Sequence, residues 1–340
     1  LWRGLLRSLL RRRHEVVFFE RDVPYYAAHR DLDTVDGLRL VIYDEWASIE
    51  RRAKDELDWA DVAIVTSFCP HAISATELLV GSRVAIRVFY DLDTPVTLEK
   101  SKAGERVFYL GPRGLRDFDI VLSFTGGQAL VDAREVLGAR RVEPLYGCVD
   151  PGAHHPAAAR DEYAGVLSYL GTYSLDRQAS FDALFLEPAR RLPLSRFVLG
   201  GAQYPDSASL PANVRHFEHV APPDHGAFFA SSSMTLNITR GVMAKYGHCP
   251  SGRLFEAAAC GVPILSDSFE GLEQFFEPGV EVLLAASSEA AIEALRMSPS
   301  DRLRVAERAR ARVLAEHTAD ARIREFERIV GSMVPEDLAS

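Results

Sequence analysis

Residues 251–263 read Ser251-Gly252-Arg253-Leu254-Phe255-Glu256-Ala257-Ala258-Ala259-Cys260-Gly261-Val262-Pro263. Ser251 can cap a helix, accepting from backbone N–H groups that the first turn leaves unpaired. Gly261 suits the left-handed position that closes a helix, and Val262-Pro263-Ile264-Leu265 then opens a buried strand. Upstream lie an apolar run, Met234-Thr235-Leu236-Asn237-Ile238, and a turn-rich loop ending in Pro250. The spacing predicts a strand–loop–helix–strand unit with Arg253 and Glu256 near the open helix end. Free N–H groups and the helix dipole both favour anions there. A guanidinium for phosphate beside a carboxylate for vicinal hydroxyls suits a nucleotide sugar. The same two residues, three apart, also make an ordinary exposed helix pair worth a few tenths of a kcal/mol.

Working outward, the second half alternates strand-like and helical runs. Strands are expected over 165–170, 196–199, 214–217, 234–237, 262–266 and 280–284. Helices are expected over 176–192, 224–230, 251–260, 289–297 and 300–316. A last helix, 318–330, puts Ile323, Phe326, Ile329 and Val330 roughly on one face. The first half alternates similarly, with strands over 16–19, 38–43, 62–66, 84–88, 120–123 and 142–145. Its helices are expected over 46–57, 71–79 and 128–137. Between the halves, Val149-Asp150-Pro151-Gly152-Ala153-His154-His155-Pro156 breaks into turn chemistry. The pattern predicts an α/β chain with mostly parallel, doubly wound sheets. The divisions are 1–148, 149–316 and a C-terminal helix and tail over 317–340. The chain opens on a helical pattern, whereas a doubly wound unit opens with a strand and glycine-rich turn. A first strand is therefore expected to be missing from the first unit.

The 340 residues suffice for two domains of ordinary size. A net charge of −9 gives no general attraction to nucleic acid or anionic lipid. The four cysteines, Cys69, Cys148, Cys249 and Cys260, form no C-x-x-C pair. Reduced thiols and a cytoplasmic location are the expectation, with no zinc site or disulfide framework. No apolar run reaches the roughly 18–20 residues of a membrane span, so no integral membrane segment is expected.

The segment Arg253-Leu254-Phe255-Glu256-Ala257-Ala258-Ala259-Cys260-Gly261 resembles the nucleotide-binding signature of GT-B glycosyltransferases, and more closely the CgeB-like family. In GT-B enzymes a Glu-Ala-x-x-x-Gly-x-Pro stretch puts the glutamate on the donor ribose, which here implies Glu256. The Val149–Pro156 stretch resembles their interdomain linker, and the last helix resembles one that crosses back to the first domain. The resemblance implies two Rossmann-like domains, the first for the acceptor and the second for a nucleotide-diphosphate sugar. It also implies a metal-independent transferase with no bound cofactor. A nucleotide-sugar epimerase of the same fold and a non-catalytic nucleotide-sugar binding protein remain open readings.

Further candidates lie where strands end. Tyr169-Leu170-Gly171-Thr172-Tyr173-Ser174-Leu175-Asp176-Arg177-Gln178 resembles the Gly-Arg-x-x-x-x-Lys-Gly segment of family-4 glycosyltransferases. Arg177 stands at the family's lysine, Thr172 at its arginine and Gln178 at its second glycine. Gly171 lets a ligand approach the backbone, and Arg177 is expected at the diphosphate. Gly200 and Gly201 end another strand, a place the family uses for the nucleotide base. Asn237 and Arg240 end the strand before the signature loop, with Arg240 weighed between a ligand role and a structural ion pair. Related retaining enzymes show Glu-x₇-Glu, but counting back eight positions from Glu256 reaches His248. By resemblance Asp267 lies in a loop lining the donor sugar, and Ser251 lies at the donor helix. In the first half, His71 is a candidate base for the acceptor proton. Asp91 and Asp93 read either as a metal-binding pair or as helix caps. Arg177 and Arg253 are expected to stabilise the leaving diphosphate.

Overall fold

The computed structural model describes residues 1–23, 37–205 and 210–333. The chain divides into two compact units, Leu1–Tyr146 with the segment from Arg322 onward, and Gly147–Ala321.

The first unit carries α1 (Trp2–Arg11), β1 (Val16–Arg21), β2 (Leu38–Tyr43), α2 (Trp46–Leu57), β3 (Val62–Thr66) and α3 (Ala72–Val80). It continues with β4 (Ile86–Asp91), α4 (Thr94–Lys102), β5 (Ile120–Ser123), α5 (Gln128–Glu135) and β6 (Val142–Pro144). All pairings are parallel, in two ladders: β1 with β2, and β3-β4-β5-β6. Strands β4 and β5 form the core, where Val88, Tyr90, Ile120 and Leu122 are buried with Phe326 and Ile329 of the C-terminal helix, while Phe89 is buried on the other face against Phe118. Apolar runs buried on both faces are the mark of parallel sheets. On α1, the Trp2 ring sits 5.7 Å from Phe18 of β1 and 5.9 Å from Tyr90 of β4, so this helix lies against both ladders. The facing strands are less covered: β1 is half-buried throughout, and Ile64 in mid-β3 is 43% exposed. The helix α4 was not foreseen; Pro95 opens it, where a missing N–H costs nothing. The fourth strand falls two to three residues later than expected, on Ile86–Asp91 rather than 84–88, since its pairing partners begin opposite Val62.

The second unit runs β7 (Leu167–Leu170), α6 (178–191), β8 (Phe197–Gly200), β9 (Val214–Phe217), α7 (His225–Ala230), β10 (Thr235–Asn237), α8 (Gly241–Tyr246) and α9 (Gly252–Ala259). It ends with β11 (Ile264–Ser266), β12 (Leu283–Leu284), α10 (Ser288–Leu295), α11 (Pro299–Glu316) and the start of α12 (Ala319–Gly331). Helix α6 joins Gln178–Phe181 and Glu187–Arg191 through a π turn, Asp182–Leu186. The wide turn precedes Pro188, which lacks an N–H and whose ring would crowd the carbonyl four residues back in a regular helix. The sheet is fully parallel, in the order β9-β8-β7-β10-β11-β12. In order of appearance that is 3-2-1-4-5-6, the Rossmann arrangement. Tyr169, Phe185, Phe197, Leu199, Leu236 and Leu265 fill its core. Each such side chain contributes about 1.5–3 kcal/mol by leaving water.

Candidate donor site

In a sheet of this order the chain crosses outward in opposite directions from one place, between β7 and β10. Ligands bind outside the carboxyl ends of those two strands. Three sequence-derived candidates meet there. Gly171 follows β7, Asn237 ends β10, and Arg253 reaches in from the first turn of α9. Ser251 caps α9, its hydroxyl accepting from the Arg253 N–H at 3.3 Å. Gly261 closes the following turn with φ +72°. The Arg253 guanidinium lies over the Tyr169 ring, 5.2 Å from its centroid, and its Nη1 stands 3.5 Å from Asn237 Oδ1. Asn237 is buried and donates to Ser266 Oγ at 3.0 Å, which fixes its amide. A Cβ on Gly171 would come within 2.9 Å of Arg253 Nη2 and 3.0 Å of Tyr169 Oη. Glycine leaves the room the guanidinium occupies, and a Cβ would displace it.

Gly200, the last residue of β8, and Gly201 after it are structural neighbours of this corner. The Gly171 N–H donates to the Gly200 carbonyl at 2.8 Å, and a Cβ on Gly200 would press on Leu170, Val220 and Phe228. Gly201 has φ +142° and packs against the Gly171 carbonyl. That carbonyl also accepts from Tyr204 Oη at 2.9 Å.

Arg177 curls back on its own loop, Nη2 donating to the Thr172 carbonyl at 2.5 Å, while its buried Nε has no partner among the described residues. Arg240 pairs with Asp176 at 3.3 Å, linking the loops after β10 and β7. Asp267 accepts from the Thr239 N–H at 2.9 Å and from its hydroxyl at 2.8 Å, linking the loops after β11 and β10. Burial pushes its carboxyl above the ordinary aspartate value, against those hydrogen bonds. His248 adopts φ +45° beside Gly271, donates its N–H to the Glu270 carbonyl at 2.6 Å and sets Nε2 3.6 Å from Glu270 Oε1.

Arg253 and Glu256 share a helix face but form no ion pair, so the simple exposed helix pair does not hold. Arg253 goes to Tyr169 and Asn237. The Glu256 carboxylate instead neighbours two imidazoles, His154 and His225, with one donor atom of each residue within 4.8 Å of the others. Sequence reasoning passed over Tyr169, Tyr204, His154 and His225. Tyr169 reads as core in an apolar strand, and only its place two residues before Gly171 hinted otherwise. The two histidines carry no shared spacing, being 71 positions apart in the numbering.

In the first unit, His71 occupies the N-cap position of α3 without capping it. Its Nδ1 lies 3.3 Å from Tyr43 Oη, and its ring packs against Tyr43 and Trp46. Asp91 is fully buried at the end of β4. Its Oδ1 accepts from the Asp93 N–H at 3.1 Å, and its Oδ2 has no partner among the described residues. Burial pushes its carboxyl up to about 6. Asp93 holds the N-cap position of α4 with no side-chain cap bond, so neither aspartate caps through its own helix end.

Residues 177–328 match a family model described as glycosyl transferase-like. No curated protein matches the sequence. Among solved structures, sucrose-phosphate synthase from Thermosynechococcus elongatus is 14% identical with a TM-score of 0.69, over 98% of this chain and 92% of that one. HepE of Anabaena, in complex with UDP and glucose, is 11% identical with a TM-score of 0.68, over 97% and 95%. An alpha-glucosyltransferase in complex with UDP and a 13-mer DNA is 13% identical with a TM-score of 0.72, over 96% and 94%. The fold is that of the GT-B glycosyltransferases, with two Rossmann-like units. With the glycosyl transferase-like match, it makes the chain an enzyme of the transferase class. No described helix is long and apolar enough to cross a membrane.

Proposed function

We propose that this chain transfers a sugar from a nucleoside-diphosphate sugar to an acceptor, and that it belongs with the CgeB-like branch of GT-B enzymes. The observation that carries this reading is Arg253, drawn through the gap that Gly171 leaves to the β7–β10 corner, at the capped start of α9. A guanidinium and free helix N–H groups there suit a diphosphate. Structural neighbours crystallised with UDP support a uridine nucleotide as donor.

In this reading Arg253 and Arg177 hold the diphosphate and stabilise the negative charge that grows on it as the sugar leaves. Glu256 accepts from the ribose hydroxyls. Gly200 and Gly201 shape the base side, while Asn237, Arg240, His248 and Asp267 set the loops around the donor. The arginines supply the positive charge, so donor binding needs no metal. The acceptor belongs to the first unit, with His71 as the base for its proton.

The test is release of nucleoside diphosphate from a panel of nucleotide sugars, with and without acceptors, beside binding of UDP itself. Glu256→Ala is expected to weaken UDP binding more than tenfold, since a hydrogen bond to a charged group is worth about 1.5–3 kcal/mol. Unchanged affinity removes the ribose contact. Donor isomerised without diphosphate release would indicate an epimerase, and binding without any turnover a binding protein.

A further inference from the structure

We infer that His154, His225 and Glu256 form a binding site for a borderline divalent cation of the zinc class. This site shares Glu256 with the donor reading but does not depend on it, and survives its failure. All three residues belong to the second unit, from the turn after Val149, the start of α7 and the middle of α9. Each offers one donor atom, and the three atoms lie within 4.8 Å of one another.

The second observation concerns the imidazole nitrogens. His225 Nε2 stands 3.2 Å from the Val220 carbonyl, an oxygen that can only accept. The proton is therefore on Nε2, and Nδ1 is left with a lone pair. That Nδ1 is buried with no hydrogen-bond partner, and so is His154 Nε2. The two rings lie 5.8 Å apart, tilted by 39°. A histidine that donates one N–H to a backbone carbonyl while its other nitrogen faces a carboxylate has the outer-shell arrangement of a metal ligand. Nothing else among the described residues uses these groups: the Glu256 carboxylate has no hydrogen bond or ion pair there.

Two imidazoles and a carboxylate are the donor set of open, four-coordinate zinc sites, which leave a position for water or ligand. Ligand atoms around tetrahedral zinc stand about 3.3 Å apart, so the side chains close inward on binding. Cys260, one turn beyond Glu256, is not among the donor residues that gather there.

The experiment is titration of the tag-free, metal-stripped full chain with Zn²⁺ by calorimetry and with Co²⁺ by visible absorption. One equivalent is expected to bind, and to raise the melting temperature in proportion to occupancy. His154→Ala, His225→Ala and Glu256→Gln should each weaken binding at least about tenfold. His155→Ala, an exposed neighbour, should not. Melting each variant without metal separates lost ligation from lost folding, and the wild-type absorption and melt remain decisive if a variant does not fold. Binding below one equivalent, or binding indifferent to all three substitutions, overturns the site. If Zn²⁺ binds and also excludes UDP, Glu256 serves both ligands. If Zn²⁺ binds and leaves UDP affinity unchanged, the cation site stands and the ribose contact falls.

Discussion

The guanidinium of Arg253 lies over the ring of Tyr169, 5.2 Å from its centroid, at the carboxyl edge of the central strand of the second unit. The ring is buried, so it holds the arginine by its face rather than by a hydrogen bond. A cation on an aromatic face is worth about 0.5–2 kcal/mol, depending on how dry the site is. The charge is thereby positioned and not neutralised, since no carboxylate pairs with Arg253 among the described residues.

Arg253→Ala should therefore abolish measurable UDP binding while leaving the melting temperature within a few degrees of wild type. Arg253→Lys should recover only part of the affinity, because an ammonium cannot bind a diphosphate through two parallel N–H groups. Tyr169→Leu should weaken UDP binding by about three- to thirtyfold, the range that the ring contact spans. Calorimetric titration with UDP measures all three. Wild-type affinity in Arg253→Ala would remove the diphosphate site from this corner.

Gly201 makes a separate prediction about stability. Its φ of +142° is one that side-chain-bearing residues rarely adopt, and an added Cβ would fall well inside contact distance of the Gly171 carbonyl. Gly201→Ala should cost more than about 2 kcal/mol from backbone strain alone, read as a lower urea midpoint. Gly279→Ala is the control: it also has positive φ, but open space lies around it, so only the smaller conformational cost remains.

Asp91 predicts a pH dependence in the first unit. Its carboxyl titrates near 6 in the folded chain and near the ordinary aspartate value when unfolded. Between about pH 4 and 6 the folded state keeps a proton that the unfolded state has released, so stability falls as pH rises through that window. The burial penalty is absent below it and complete above it. Asp91→Asn should flatten this part of the stability curve and raise the melting temperature at pH 7 relative to wild type. Parallel curves for the two proteins between pH 4 and 6 would show that Asp91 is not the group responsible.

Much of the second unit was legible from local chemistry. Ser251 and Gly261 mark the ends of α9 by capping and left-handed preference, and both act as the sequence implies. The strands 38–43, 62–66 and 120–123 were bounded correctly because each is a largely apolar run between turn residues, and 214–217, Val214-Arg215-His216-Phe217, was bounded correctly as well. Helices α4 and α8 were missed. Their residues carry no strong apolar periodicity, so packing rather than pattern makes them helical. The helix expected over 176–192 does run through Pro188, because a π turn lets it pass.

By itself the sequence determined which residue types stand at strand ends and helix starts, because capping, turn and alternation signals are carried by neighbours in the chain. It thus gave the alternating α/β order and placed Gly171, Asn237 and Arg253 at the edges of their elements. Only the tertiary structure decided which edges adjoin. The order β9-β8-β7-β10-β11-β12 brings residues 171, 237 and 253 to one corner, puts Asp176 against Arg240, and turns Glu256 towards His154 and His225. Those choices depend on contacts between segments far apart in the chain, whose free energy comes from burying their apolar faces together and leaves no trace in local spacing.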